Sequence, residues 1–477
     1  HQGIESQLPC PAPPLLSFPM ASLQDRAKLV PQSPLAAAWR VFWPLALALV
    51  VGVLMQHQVR TNIDAYSSKQ ILDIGIAIIL AVSLTIVNGF TGQFSIGHAG
   101  FLAVGGYVAG SITYYGSFAL FGSASATLGT MSGLYGAKAD AAFLTGGEGL
   151  FLFALLAGGL VSALLGVVVG LPSLRLRGDY LAIVTLGFGE IVRVLIQQTP
   201  QVLMSKEAIA AAKPLSVPLS VGGSLGFGNV PKYTSLFWVY AAVVLTLIFA
   251  YRLKQSSTGR AMLSIREDEI AAEAMGVKTT YYKVWGFVIA AFFAGIAGGL
   301  YAHTIGISLS PVDAGFQKSF DIIIMVVLGG LGSISGAAIA AAIVTYLPEL
   351  LRTPDTLMKF AIVGVPMLVV GASLLAMAGK PARKSPEKKR GHDPRAFPRF
   401  VIGLGVIITG LSLLAFLAKR FGIDLGDYRL ILFALALIIM MITRPQGLLG
   451  VREVWDGALY RPVRDFFTAR RHKGGTA

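Results

Sequence analysis

The stretch Leu150–Leu171, LFLFALLAGGLVSALLGVVVGL, decides the fold class of this chain of 477 residues. It contains no charged residue, and as a helix it is long enough to cross a hydrocarbon layer about 30 Å thick, which takes about 20 apolar residues. Inside such a layer each backbone N–H and C=O group must find its partner within the segment, and a helix provides this. The stretch therefore predicts a transmembrane helix.

The composition of the whole chain agrees with this interpretation. Hydrophobic residues make up 55% of the chain, charged residues 13%, and there are 55 glycines. This is more apolar residue than the core of a soluble protein of this length needs. We predict an all-α integral membrane protein, a polytopic helical bundle.

Twelve apolar runs are candidate membrane spans. With the N-terminus in the cytoplasm, most of the 39 Lys and Arg residues fall in cytoplasmic segments, as they do in membrane proteins generally. Ser319–Gly330 is the shortest run, so it is either a full span or a half-helix. The runs are Val41–Met55, Ile71–Val87, His98–Tyr114, Leu150–Leu171, Tyr180–Gln197, Leu236–Tyr251, Val284–His303, Ser319–Gly330, Ser335–Leu351, Leu357–Ala378, Phe400–Ala418 and Arg429–Thr443.

The net charge of +15 follows from this cytoplasmic bias and favours contact with lipid headgroups over contact with nucleic acid. Residues 1–40 are predicted to form an N-terminal cytoplasmic segment. It contains the one cysteine, Cys10, and lacks the apolar core of a signal peptide. Met20 begins MASLQDRAKLV, which resembles a natural start, so residues 1–19 are either an upstream extension or native sequence.

A charged segment interrupts the apolar runs at Leu263–Phe287, LSIREDEIAAEAMGVKTTYYKVWGF. Ser264 followed by Glu267 fits a capping box, and Gly276 is placed to end a helix. We therefore predict one helix over Ile265–Met275, about 16 Å long and too short to span the membrane.

Small side chains cover part of this predicted helix. The alanines at 271, 272 and 274 leave its surface nearly flat there, and a flat helix can enter a cleft on another protein. The alternative is an ordinary amphipathic loop helix packed on its own transmembrane bundle. The residues by themselves favour neither interpretation.

Four motifs resemble the permease subunits of ABC importers for branched-chain amino acids, in particular the second permease subunit of such importers. They occur in the family's order and cover most of residues 70–350 together with 427–450. The motifs are GFTGQFSIGHAGFLAVGGY (Gly89–Tyr107), LPSLRLRGDYLAIVTLGFGEIVRVL (Leu171–Leu195), STGRAMLSIREDEIAAEAMGV (Ser257–Val277) and DYRLILFALALIIMMITRPQGLLG (Asp427–Gly450).

The resemblance implies a bundle of about ten core transmembrane helices. The chain departs from the family in two places. The first is a long external stretch rich in glycine, alanine and serine between Tyr115 and Gly149. The second is 352–426, which carries two further apolar runs around a basic cytoplasmic loop, 379–399. We interpret this region as an inserted helical hairpin, which gives about twelve spans in all. The remaining segments are a main permease domain at 41–351 with a cytoplasmic coupling loop at 252–283, a last transmembrane helix at 427–450 and a basic cytoplasmic tail at 451–477.

The resemblance also implies a function and partners. The chain is expected to be the permease subunit of an ABC importer that moves branched-chain amino acids, or related small amino acids and amides, across the bacterial cytoplasmic (inner) membrane. The complex would add a homologous second permease, two ATP-binding subunits and a periplasmic solute-binding protein. The short helix would dock in a groove of the ATP-binding subunit through Glu269, Ala271, Ala272, Glu273, Ala274 and Gly276.

No residue of this chain is predicted to be catalytic. The sequence contains no GxxxxGK[ST] motif for binding nucleotide phosphates and no cluster of His, Cys and Glu with metal-ligand spacing. We expect no metal or cofactor in this chain, and ATP would be used by the partner subunit.

The glycine-rich motif after the second run has two interpretations. Its glycines suit either a broken helix that lines a translocation path or close packing between helices. In the second case the histidine of the motif is a structural hydrogen-bonding residue. A similar stretch, GGLGSISG (Gly329–Gly336), echoes GQFSIG and suggests a diverged internal repeat. The candidates for the path are Gly92, Gln93, Ser95, Gly97 and His98.

Glu190 and Arg193 lie three residues apart in a predicted span, where a structural ion pair is favoured over a proton relay or a carboxylate clamp. This pair is the one feature that favours a different class of protein, an ion-coupled secondary carrier that acts alone. A milder alternative keeps the ABC architecture and changes the cargo to urea, short amides or aromatic acids.

Overall fold

The computed structural model describes most of the chain between residues 44 and 352, together with a few positions near the C-terminus. Apart from Pro44, Leu45 and Ala46, the described residues belong to one unit, Leu47–Ala477. The described residues are 44–57, 65–123, 145–173, 179–214, 216–304, 308–352, 434–435, 438, 447–448, 450 and 453.

The described part of the chain is helical and has no β-strand beyond an isolated bridge between Phe227 and Leu309. A π-helical turn, Ile86–Thr91, continues α2, and short 3-10 turns lie at Gly223–Leu225 and Pro311–Ala314. The helices are α1 Pro44–His57, α2 Ala65–Thr85, α3 His98–Phe121, α4 Gly146–Ser173, α5 Asp179–Gln197, α6 Lys206–Ala211, α7 Leu236–Gln255, α8 Ser257–Glu267, α9 Glu269–Ala274, α10 Thr279–Ala302, α11 Phe316–Gly329 and α12 Ile334–Arg352.

The all-α prediction is confirmed. The described part of each predicted run from Val41–Met55 to Ser335–Leu351 falls on one helix, apart from one or two residues at the ends of three runs. The runs Leu357–Ala378 and Phe400–Ala418 lie outside the described residues, as do the loop 379–399 and nearly all of Arg429–Thr443.

Among the described helices, five are long and apolar enough to cross a membrane. The helix α3 has 24 residues but is not one of them, because five glycines, three tyrosines and a histidine lower its hydropathy. It is buried inside the bundle against α4, α5 and α10. The five segments are Tyr66–Thr91, Gly146–Pro172, Tyr180–Gln197, Leu236–Gln255 and Thr279–Ala302.

The bundle is centred on α3, α4 and α10, whose backbones meet at glycines. A Cβ atom on Gly298 would lie 1.9 Å from the carbonyl oxygen of Leu102, and one on Gly105 would lie 2.3 Å from the Cα atom of Gly295. Such approaches are typical of membrane helices that pack through small residues. No side chain, not even a methyl group, fits at these positions without moving a helix.

We expect Gly298→Ala to destabilise the bundle, because the added methyl group overlaps the backbone of α3. Overpacking of this kind costs about 1–3 kcal/mol or more. The measurement is the Tm of the detergent-solubilised chain. Gly187→Ala on α5 is the matched control, since nothing lies within 4 Å of its Cβ position. Its Tm should be unchanged or slightly raised; an equal fall in both variants would contradict this account of the packing.

Candidate functional site

The segment between α7 and α10 contains two short helices, and the prediction of one continuous helix over Ile265–Met275 was wrong. Asp268 separates α8 from α9 in an extended conformation, with φ −158° and ψ 112°. Its Oδ1 accepts hydrogen bonds from the backbone N–H groups of Ile270 (2.9 Å) and Ala271 (3.0 Å). A short carboxylate side chain that caps a new helix in this way competes with continuation of the old one.

The predicted capping box at Ser264 was also wrong, because Ser264 lies inside α8. The hydroxyl group of Ser264 donates to the carbonyl oxygen of Ala261 (2.8 Å), inside α8. The N-cap of α8 is Ser256, whose Oγ accepts from the N–H of Gly259 at 3.0 Å. The helix therefore begins at Ser257, about two turns before Ile265, the predicted first residue.

The end of α9 follows the prediction from the glycine. Gly276 has φ +85°, and its N–H donates to the carbonyl oxygen of Glu273 (2.9 Å). The N–H of Val277 donates to the carbonyl oxygen of Ala272 (3.0 Å). These two bonds form a Schellman motif. The motif needs one residue in the left-handed conformation, and glycine adopts that conformation most easily.

One face of α9 is exposed and apolar. Ile270 is 70% exposed and Met275 is 85% exposed, with Ala271 and Ala274 exposed beside them. We call these four residues the α9 face. Glu273 and Gly276 are also exposed.

Two of the predicted docking residues point to the protein instead. Ala272 is buried, with 5% exposure. Glu269 forms an ion pair with Lys283 of α10, at 2.6 Å between Oε1 and Nζ. The pair holds α9 on α10, so Glu269 is occupied within the chain. Docking of the other predicted residues on a partner stays a prediction.

The helix α8 lies against the glycine-rich motif that follows α2. Nη1 of Arg266 donates to the carbonyl oxygen of Gly89 at 2.9 Å. Gly92 has φ +71°, and a Cβ atom there would lie 2.8 Å from Cγ of Arg266. Apolar side chains of α8, including Met262, pack with Phe90 in one buried cluster. The structure therefore brings the two motifs together.

The other candidates for the path are buried, and all but the hydroxyl group of Ser95 have a hydrogen bond or a close packing contact. A Cβ atom on Gly97 would lie 2.0 Å from the carbonyl oxygen of Thr185 on α5. Nε2 of His98 lies 2.7 Å from Oγ of Ser83. The remaining contacts are those of Gln93 Oε1 with Thr91 Oγ1 (3.3 Å) and of Ser95 N with Asn88 Oδ1 (3.2 Å). A role in the path stays a prediction for these residues.

The second glycine-rich stretch, between α11 and α12, touches the first. A Cβ atom on Gly89 would lie 2.6 Å from the backbone nitrogen of Gly332, and one on Gly332 would lie 2.6 Å from Nη1 of Arg266. Gly332 of the second stretch is therefore a neighbour of Gly89, three residues before GQFSIG, and Arg266 lies against both Gly92 and Gly332.

Glu453 also contacts the second glycine-rich stretch, although no sequence pattern singled it out. Its Oε1 forms an ion pair with Nζ of Lys254 (2.6 Å) and accepts from the N–H of Ile334 (3.0 Å). Its Oε2 accepts from the N–H (3.0 Å) and the hydroxyl group (2.6 Å) of Ser335. The residue follows the end of the recognised motif at Gly450 and falls in the predicted basic tail, so no local pattern marks it.

The hydrogen bonds decide the charge of Glu453. Burial raises the pKa of its carboxyl group, but the bonds from Lys254, Ser335 and Ile334 favour the ionised form and lower the pKa below its ordinary value of 4.5. The carboxylate is thus held ionised at the N-terminus of α12, where the helix dipole also favours a negative charge.

Glu190 and Arg193 form an ion pair on α5, with 2.6 Å between Oε2 and Nε. The other oxygen of Glu190 accepts from the N–H of Phe316, the first residue of α11, at 3.1 Å. The pair therefore holds the start of a neighbouring helix. No cluster of three or more metal-ligating side chains occurs among the described residues.

A family model described as the permease component of the branched-chain amino acid transport system matches residues 68–380. The chain belongs to this family. It is therefore a permease component, which is a multi-pass membrane protein that takes part in transport. The match includes α8 and α9, both glycine-rich stretches and Lys254, whereas Glu453 lies beyond it.

Individual branched-chain amino acid permeases are similar to parts of the chain. The high-affinity branched-chain amino acid permease protein LivM of Salmonella typhimurium is 33% identical over 325 residues, 65% of this chain and 68% of that protein. LivM of Escherichia coli is 33% identical over 293 residues, 58% of this chain and 61% of that protein. LivH of Salmonella typhimurium is 32% identical over 127 residues, 26% of this chain and 39% of that protein. No solved structure matches the chain.

We expect Asp268→Ala to loosen the start of α9, because the N–H groups of Ile270 and Ala271 lose their acceptor. Loss of such a cap costs about 1 kcal/mol, so these two amides should exchange with deuterium about fivefold faster. Hydrogen exchange of the chain in nanodiscs measures this. Ser264→Ala is the control and should leave the two amides unchanged; equal effects of both variants would restore the single-helix interpretation.

Wild-type protein and Glu453→Gln should differ in stability above pH 4.5 and converge in acid. The folded pKa of Glu453 is lowered, so its contribution is fully present above the ordinary value of 4.5 and is lost as the pH falls through the folded value. The measurement is the difference in Tm between the two proteins as the pH is lowered, in which the other carboxyl groups cancel. A difference independent of pH would contradict the ionised state of Glu453.

Proposed function

We propose that this chain is the permease subunit of an ATP-driven importer that moves branched-chain amino acids, or related small amino acids, across the bacterial inner membrane into the cytoplasm. Membership of the family supports the class of cargo and the transport role. The α9 face is the observation that carries the ATP-driven part of the proposal, because it offers a docking surface on a segment connected to the bundle.

The α9 face has the properties of a contact surface. Ile270 and Met275 are among the most exposed large apolar side chains of the described residues, although they lie in a charged segment. Clustered exposed apolar side chains with a polar surround mark interaction sites. The small side chains of Ala271 and Ala274 let a partner approach the backbone of α9 closely.

Movement of this surface would reach the membrane by two routes. The first is the ion pair between Glu269 and Lys283, which ties α9 to the start of α10. The second is the hydrogen bond from Arg266 to the carbonyl oxygen of Gly89. This bond ties α8 to the π-helical turn that continues α2. A partner that closes on ATP and shifts α8 and α9 would therefore move parts of two membrane helices.

ATP hydrolysis is assigned to the partner, and no cofactor is assigned to this chain. The sequence has no GxxxxGK[ST] motif, so the nucleotide site belongs to another subunit. Two ATP-binding subunits, a periplasmic solute-binding protein and a homologous second permease complete the proposed complex. Similarity to both LivM and LivH supports the pairing of homologous permeases.

The cargo is assigned from the family, and the solute-binding protein tests it. Urea, short amides and aromatic acids are the alternatives within the same architecture. Calorimetric titration of the proposed solute-binding protein with each of these solutes would test the choice. Binding of leucine, isoleucine or valine in preference to the other solutes is the expected result.

The contacts of Glu190 do not favour the alternative of an ion-coupled carrier. Glu190 bridges Arg193 and the backbone of Phe316, and these contacts suit a structural role. The chain reconstituted alone with an ion gradient should show no solute flux. Flux without ATP-binding subunits would overturn the proposed function.

We expect Ala274→Arg to abolish most ATP-driven uptake, because a long charged side chain would occupy the exposed flat part of the α9 face. The measurement is uptake of radiolabelled leucine by proteoliposomes that contain the full complex, together with ATP hydrolysis in the same vesicles. Hydrolysis should continue without uptake.

The matched control is Ser257→Asp, at the exposed start of α8, where an added negative charge suits the helix N-terminus. It should transport like the wild type. Normal uptake by Ala274→Arg, with the full amount of complex in the vesicles, would remove the α9 face from the proposed docking site.

A further inference from the structure

The C-terminal residues that follow the last predicted span return to the bundle. The N–H of Leu448 donates to the carbonyl oxygen of Leu328 at 2.7 Å. A Cβ atom on Gly447 would lie 2.5 Å from the backbone nitrogen of Gly330, and one on Gly330 would lie 2.5 Å from the carbonyl oxygen of Gly450. Gly447, Leu448 and Gly450 therefore lie with their backbone directly on the end of α11. We call the described residues of 447–453 the C-terminal return segment.

Glu453 connects the return segment to two other parts of the chain. Its side chain is 4% exposed, and its bonds to Ile334 and Ser335 cap the start of α12. Its ion pair with Lys254 reaches the last turn of α7, three residues before α8 begins. Nζ of Lys254 also donates to the carbonyl oxygen of Gly332, at 2.7 Å.

Because of these contacts, the buried carboxylate of Glu453 cannot easily move or take up a proton. A buried carboxylate that loses its cationic partner is strongly unfavourable, so the pair resists separation. The hydroxyl and N–H donors of α12 hold the carboxylate from the other side. The end of α7, the loop between α11 and α12 and the return segment are thus joined at one point.

We propose that Glu453 is a positioning residue that makes these three parts move together during transport. This inference rests on the proposed function, in which an ATP-binding partner displaces α8 and α9. Lys254 stands at the root of those helices, so their displacement would reach the loop between α11 and α12 through Lys254 and Glu453. A third route into the membrane, beside those through Lys283 and Gly89, follows from this connection.

The first test uses the full complex in proteoliposomes and measures the amount of leucine taken up per ATP hydrolysed. Glu453→Ala and Lys254→Met should each lower this ratio about tenfold, within the usual range of coupling between sites, while hydrolysis continues. The double variant should be no worse than either single one, because both remove the same connection. Glu207→Ala, an exposed carboxylate on α6, is the control and should keep the wild-type ratio.

The second test guards against a variant that simply folds poorly. Cys10, the one cysteine of the chain, is first replaced by serine. Lys254→Cys and Glu453→Cys are then combined and joined by a bifunctional thiol cross-linker about as long as the two missing side chains. The ratio should be low before cross-linking and should recover after it, since a covalent link replaces the ion pair.

The outcomes separate the inference from the proposed function. If the wild-type complex shows no ATP-driven uptake, the proposed function fails and the inference fails with it. If the wild type transports and Glu453→Ala keeps its ratio, only the inference is overturned. A ratio that stays low or falls further on cross-linking would also overturn it, because the two residues would then have to separate during the cycle.

Discussion

Where α3 and α10 cross, the carbonyl oxygen of Leu102 occupies the space in which a side chain of Gly298 would begin. This approach brings the two backbones into direct contact, and α4 joins them in the same way through Gly158, whose Cβ position is 2.6 Å from the carbonyl oxygen of Gly105. Packing of this kind supplies the van der Waals contact that drives helix association in a membrane, where burial of apolar surface adds little. The positions of all surrounding elements depend on this crossing.

Backbone N–H and C=O groups need hydrogen-bond partners, and this need explains which side chains lie at the helix ends. A helix that ends inside or at the edge of the bundle leaves N–H or C=O groups without partners in their own segment. Here charged side chains from distant segments satisfy several of them. Glu190 binds the start of α11, Glu453 binds the start of α12, and Arg266 binds the carbonyl oxygen of Gly89. Each such bond closes a helix end and ties it to another element.

This arrangement gives the segment between α7 and α10 its character. The segment that carries the α9 face is anchored through ionic side chains of both signs, while the face itself is left exposed. Its anchors reach two membrane helices: Arg266 bonds the carbonyl oxygen of Gly89 beyond α2, and Lys283 lies near the start of α10. A surface built in this way suits a mechanical role better than a chemical one, and it agrees with membership of a permease family.

The sequence by itself determined the all-α membrane class, the positions of the described spans, the family, and the end of α9 at Gly276. These follow from local rules, because a spanning helix satisfies its own backbone and a left-handed residue favours glycine. Only the tertiary structure decided the break at Asp268, the inward position of Ala272 and the role of Glu453 at α12. Asp268 competes with an equally acceptable capping box at Ser264, and packing on the bundle selects between them. The partners of Glu453 lie more than 100 residues away, so no local pattern in the sequence could have shown them.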